Sequence, residues 1–145
     1  MKAFYWPIRV YYENTDAGGV VYHSDYLKFF ERARTEWLRS LGFEQPELRA
    51  QNGVIFVVRK IQIEYLQPAR FNDLLEVKSK LVELGRSRFV FEQTLLRGKE
   101  ALNRATVEVV CVTEGIFKPV ALPARIRQQF ESVIEPVSVG NERCV

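Results

Sequence analysis

Histidine occurs once in this chain, at position 23, and cysteine twice, at positions 111 and 144. Neither cysteine falls in a metal-ligand or redox spacing, so both read as free thiols of a reducing compartment, and no metal is expected. A Cys111–Cys144 disulfide is the alternative. No apolar run approaches the roughly 18 residues that span a bilayer, so no transmembrane segment is expected. Pro7 and Arg9 interrupt the stretch that would have to serve as the apolar part of a signal peptide, which makes the cytoplasm the expected location. Charge of one sign is scarce too. Lys and Arg number 21 against 18 Asp and Glu, and the net +3 is spread along the chain without a basic run. That pattern excludes a nucleic-acid arm while leaving room for an anionic ligand held by a few placed cations. Internal repeats, low-complexity stretches and linkers are missing as well.

What is present is the composition of one globular domain. The 145 residues are 47% hydrophobic and 27% charged, enough to bury a core without staples. Residues 3–12 alternate as a first strand, with Pro7 marking an edge or a bulge. From residue 24 to 41 the period becomes helical. Tyr26, Phe30, Ala33, Trp37 and Leu41 form one apolar stripe, Lys28, Arg32, Glu36 and Arg39 lie mainly off it, and Gly42 follows as a C-terminal cap. Such a helix would be about 27 Å long. A short helical turn is expected after Pro46. Strands follow over 54–66, 74–83, 87–97 and 104–114, with Gly85 and Gly98 in turns. The last is apolar on both faces and should be central or covered twice. Pro123 opens a terminal helix carrying Ile126 and Phe130, and residues 136–145 form a flexible tail outside a 1–135 domain. One long helix and then four consecutive strands is an α+β pattern, with an antiparallel sheet curved around the helix.

The segment Asn14-Thr15-Asp16-Ala17-Gly18-Gly19-Val20-Val21-Tyr22-His23-Ser24 puts a carboxylate, two glycines and the only histidine just before that helix. Glycines allow a backbone to approach a ligand closely. A helix N-terminus offers unpaired N–H groups and a positive dipole end to a developing oxyanion. Asp16 and His23 are the candidate catalytic residues. The competing reading is structural: an Asp two residues before a Gly is a common turn former, and a histidine near a helix start can be a cap or a packing residue.

This segment, extended through Phe30-Glu31-Arg32-Ala33-Arg34, resembles the signature of the 4-hydroxybenzoyl-CoA thioesterase family. Within it, the chain is most similar to the bacterial acyl-CoA thioesterases encoded beside the Tol-Pal envelope genes. The match is dense over residues 9–38 and looser over 65–73 and 85–89. The resemblance implies a single hot-dog domain, a sheet wrapped around one long helix, that acts as a homodimer or homotetramer with sites at subunit interfaces. It implies hydrolysis of acyl-coenzyme A, coenzyme A being part of the substrate and no cofactor being needed. An acyl-carrier protein is a further conceivable partner. The family's catalytic aspartate matches Asp16, and the position whose backbone N–H polarises the thioester carbonyl matches His23. A thiol leaves readily as thiolate, its pKa being near 8.5, so one carboxylate plus an oxyanion site can suffice. Asp16 would attack the carbonyl or activate a water.

Gly18, Gly19, Tyr22 and Tyr26 are the expected substrate-binding residues around this centre, with Phe56 and Phe89 also shaping the acyl pocket. Arg70, Arg86 and Arg88 are candidates for the coenzyme phosphates. Glu31 is a second candidate carboxylate, or else a partner for Arg34 or a neighbouring chain. Three other functions fit a similar domain: a hydroxyacyl dehydratase, a non-catalytic acyl-CoA binding module, and an envelope-associated adaptor. The placement of His23 before the helix argues against the first, and the presence of Asp16 against the second.

Overall fold

The computed structural model describes residues 3–135; the tail expected over 136–145, and Cys144 with it, lies outside them. Five strands, β1 (Phe4–Arg9), β2 (Val54–Tyr65), β3 (Leu74–Leu84), β4 (Arg88–Arg97) and β5 (Glu100–Thr113), form one sheet. Three helices, α1 (His23–Ser40), α2 (Gln45–Asn52) and α3 (Ala124–Val133), accompany it. The strand order is β1-β3-β4-β5-β2, antiparallel at every pairing, which leaves β1 and β2 as the edges. Pro7 sits on the edge strand β1, where its missing N–H costs no ladder bond on the solvent side.

α1 lies against one face of this sheet. Tyr26, Phe30, Ala33 and Trp37 are buried as the stripe requires, and Phe29 and Leu38 widen it. They meet Val77, Leu81, Phe91, Leu95 and Val107 in one core cluster. The helix starts one residue earlier than its periodicity predicts and ends one turn position before Leu41. There the N–H groups of Leu41 and Phe43 return to the Leu38 carbonyl, and Gly42 adopts φ +94°. That left-handed position is why a glycine follows the stripe. Trp37 and Phe89 both pack on Phe130 of α3, which closes the far end of the core.

Three expectations shift in detail. The first strand stops at Arg9, and Tyr12–Asn14 form a 3-10 turn because the Asn14 side chain captures the Tyr11 N–H at 2.7 Å. β5 begins at Glu100, four residues early, and its buried Asn103 hides the apolar alternation that reveals strands. The helical turn at Pro46 is an eight-residue helix, stopped by Gly53 at φ +66°. β5 is interior, as its two apolar faces predict: Val107, Val109 and Cys111 are buried toward α1, and Val110 and Val112 on the other side. Burial pushes the Cys111 thiol up to about 11, so it remains an unionised core residue.

Candidate active site

The loop between β1 and α1 is built around Asp16. Thr15 and Val21 form an isolated β-bridge, the Asp16 N–H donates to the Val20 carbonyl at 2.9 Å, and the Gly19 N–H returns to the Asp16 carbonyl at 3.0 Å. Inside this turn the carboxylate Oδ1 accepts the Gly18 N–H at 2.8 Å and the Val20 N–H at 3.3 Å. Oδ2 has no hydrogen-bond partner among the described residues. Asp16 is therefore a turn former, as the structural reading held, and still presents one free carboxylate oxygen. Glycine is favoured at both positions, for different reasons. Gly19 has φ +81°, and a Cβ on Gly18 would stand 3.3 Å from Asp16 Oδ1.

The turn is fastened on two sides. Toward β3, Val20 bridges Arg70, the Phe71 N–H donates to the Gly19 carbonyl at 3.0 Å, and the Val21 N–H to the Ala69 carbonyl at 2.9 Å. Toward the helix, the Tyr22 N–H donates to the Asn14 carbonyl at 3.0 Å, and Asn14 Nδ2 donates to Asp25 Oδ2 at 2.8 Å in a buried contact. Asp25 lies in the first turn of α1, where a carboxylate complements the dipole, and Lys28 stands 3.6 Å from it. Sequence reasoning missed the Asn14–Asp25 lock. Its only trace was an Asn in a turn and an Asp at a helix start, each unremarkable alone.

His23 is the first residue of α1, and its backbone N–H finds no acceptor among the described residues, the ordinary condition of a first helical turn. Its imidazole meets the Tyr65 ring edge-on at 4.8 Å, and Tyr65 lies 5.6 Å from Tyr26. These rings, with Val20, Val21 and Leu66, line a cleft of about 250 Å³. Tyr26 is buried and its hydroxyl accepts the Ala69 N–H at 3.0 Å; burial raises its phenol above the usual tyrosine range. Asp16, Gly18, Gly19 and Tyr22 line a neighbouring open cleft of about 520 Å³ with Tyr12 and Phe71, whose rings are 5.1 Å apart. Asp16 and His23 thus flank one loop-to-helix junction from adjoining clefts.

The arginines separate. Arg70 is exposed beside the Asp16 turn, held there by its backbone, whose N–H donates to Asp73 Oδ2 at 2.9 Å. Arg86 lies in the β3–β4 turn and Arg88 opens β4, at the other end of the eleven-residue β3, about 30 Å from the Asp16 loop along the strand. Arg88 is bound to Glu83 at 2.7 Å and Glu108 at 3.3 Å, which hold its guanidinium pKa up. One chain does not bring these two to Asp16. Phe56 and Phe89 stack edge-on at 5.2 Å beneath the middle of α1, in a smaller cleft that also holds Glu31 and Arg34. Among the described residues, no group of three or more His, Cys, Asp or Glu is placed to hold a metal, and no helix is long and apolar enough to cross a membrane.

The thioesterase superfamily model matches residues 18–103. The chain belongs to that superfamily. It is 49% identical over 129 residues to the acyl-CoA thioesterase YbgC of Haemophilus influenzae, covering 89% of this chain and 95% of that relative. Among solved structures, a probable thioesterase from Bartonella henselae superposes with a TM-score of 0.80 at 40% identity, covering 83% of this chain and 99% of the other. A DHNA-CoA thioesterase from Staphylococcus aureus superposes with a TM-score of 0.86 at 27% identity, over 92% and 91% of the two chains. The domain of this thioesterase is a single hot-dog fold, with α1 as the helix and the five-stranded sheet as its wrap.

Proposed function

We propose that this thioesterase hydrolyses acyl-coenzyme A to a free acid and coenzyme A, with Asp16 as the reacting carboxylate and the His23 N–H as oxyanion donor. The observation that carries this reading is the divided use of Asp16: Oδ1 is anchored by two backbone N–H groups, so Oδ2 is aimed and free. The relatives named acyl-CoA thioesterase supply the substrate class. In one route Oδ2 bonds to the thioester carbonyl carbon, the C–S bond breaks and its electron pair leaves on the thiolate; water then cleaves the mixed anhydride. In the other, Oδ2 takes the proton of an attacking water, and the tetrahedral adduct expels the thiolate. In both, negative charge collects on the former carbonyl oxygen, where an unpaired N–H at the positive end of α1 stabilises it. No metal or cofactor is required, because the thiolate leaves without a strong acid.

The active form in this proposal is a dimer or tetramer in the cytoplasm. Among the described residues β2 is a twelve-residue edge with no strand on its outer side, an open ladder that a second copy can continue. Pairing of copies brings side chains of one chain to the open clefts of the other, and gives Arg86 and Arg88 a route to a coenzyme bound outside their own chain. Acyl-carrier protein is an alternative thiol carrier. The experiment is thiol release from a panel of acyl-CoAs, with repeated turnover in ¹⁸O-water. Label appearing in Asp16 marks an anhydride opened at the Asp16 carbonyl, and label confined to the product acid marks water attack at the acyl carbon. Absence of thiol release from every acyl-CoA would overturn the assignment in favour of a binding module.

A further inference from the structure

The flank of α1 that faces β2 carries Leu27, Glu31, Arg34 and Leu38, at spacings of four, three and four. Arg34 lies in a cleft between α1 and the edge of the sheet, with Glu31, Thr35, Phe56 and Val58 around it. Its Nη1 donates to Gln93 Oε1 at 3.0 Å, and Gln93 Nε2 donates in turn to the Phe30 carbonyl at 3.1 Å and Ser79 Oγ at 2.9 Å. This network anchors one nitrogen of the guanidinium and leaves the rest of its donors to the cleft. No carboxylate of the described residues makes an ion pair with it. Burial lowers the Arg34 guanidinium to about 10, and Glu31 opposes this only through space. Glu31, one turn away on the same flank, is exposed and likewise makes no ion pair or hydrogen bond among the described residues. A cation and an anion sit side by side, neither in an ion pair among the described residues.

The sheet edge next to them is uncovered on the same side. Val58 is 48% and Tyr65 45% exposed on β2, and Leu27 is 41% exposed on α1. These apolar groups adjoin a strand whose outer side pairs with no strand of the described residues, so the surface is self-complementary in chemistry and in direction. Two copies joined antiparallel along β2 are related by a twofold axis, and a twofold contact is reciprocal: what one copy offers the other also receives. The middle of β2 is the bulge between Val58 and Lys60, and the α1 residues sharing a cleft with Val58 are Glu31, Arg34 and Thr35. An axis through the middle of β2 therefore passes near the middle of α1 and sets the two helices antiparallel there. Position 31 of one then faces position 34 of the other.

We propose that Glu31 and Arg34 form reciprocal ion pairs between two copies of this chain, Glu31 of each copy entering the Arg34 cleft of the other. The inference rests on the self-association argued under Proposed function. It makes Glu31 an assembly residue, separate from the reacting carboxylate.

The test is the dimer dissociation constant of the full chain, from sedimentation equilibrium over a dilution series. Glu31→Gln is expected to weaken the dimer and Glu31→Arg to weaken it further, by at least about tenfold, because it sets like charges in contact. Glu31→Arg combined with Arg34→Glu should return the constant to within about threefold of wild type, since the pair is restored with its charges exchanged. Arg34→Glu also releases Gln93 and can unfold the chain; the graded order of wild type, Glu31→Gln and Glu31→Arg then decides by itself. A dimer indifferent to both Glu31 variants, or a double variant that folds and binds no tighter than Glu31→Arg, overturns the pair while leaving the dimer standing. A wild-type chain that is monomeric throughout the series overturns the dimer and the pair together.

Discussion

The two oxygens of Asp16 are in different conditions, and in the proposed mechanism that division lets a turn residue also be the reacting group. Oδ1 closes the turn on Gly18 and Val20, which fixes the direction of Oδ2. His23 divides differently: its backbone N–H stands at the helix start while its ring packs on Tyr65. His23→Ala should therefore keep a substantial fraction of thiol-release activity, whereas His23→Pro, which deletes the N–H, should lose nearly all of it. Equal losses in folded variants would assign the work to the imidazole. Asn14 acts one step removed. Asn14→Ala strips a buried hydrogen bond from the Asp25 carboxylate and a cap from Tyr11, so unfolding free energy should fall by about 1–3 kcal/mol in urea titrations. Turnover should fall with KM nearly unchanged, because the junction that aims Asp16 and His23 loosens; a stability loss with wild-type turnover would deny it that positioning role. The roles proposed for Asp16 and His23 come from the family signature; spacing alone left the turn-former and cap readings open. The Asn14–Asp25 lock was not legible in the sequence, because a hydrogen bond between residues eleven apart leaves no periodic mark.

Among the elements, α1 was the most legible, since a stripe of aromatics at helical spacing has few other uses. Its buried face is wider than the stripe because Phe29 and Leu38 also join the core cluster. Phe30 is 0% exposed at the centre of that face, and Phe30→Ala should cost about 3–5 kcal/mol, read as a lower urea midpoint at unchanged slope. A loss below about 1 kcal/mol would mean that the helix packs less tightly than its burial indicates. The strands were legible where apolar and polar residues alternate. They were misjudged where a polar residue faces inward, as at Asn103 in β5, whose amide has no hydrogen-bond partner among the described residues. The β-bridge that sets Arg70 beside the Asp16 turn was likewise invisible, because backbone pairing between a loop and a distant segment carries no sequence pattern. Arg70 was chosen for its charge and reaches the site through its backbone.

At the scale of the whole molecule, the proposed mechanism treats the single chain as one part of a larger assembly. Its two clefts at the loop-to-helix junction are open, its β2 edge is unpaired among the described residues, and Arg86 and Arg88 stand at the far end of the sheet from Asp16. Light scattering at micromolar concentration should report a mass well above the 16.9 kDa of one chain, and specific activity should fall on dilution as copies separate. A monomer of full activity would contradict a site completed by a second copy. Within that assembly the central claim is that the Asp16 carboxylate does the chemistry, and Asp16→Asn tests it most directly. Asparagine can still accept the Gly18 N–H, so the turn, the circular dichroism spectrum and the binding of a non-hydrolysable acyl-CoA analogue should be preserved. Loss of the nucleophile or base should lower turnover at least about a hundredfold. A folded, assembled Asp16→Asn protein within about threefold of wild-type turnover would contradict the claim, since removal of an essential acid–base group cannot leave the rate so nearly intact.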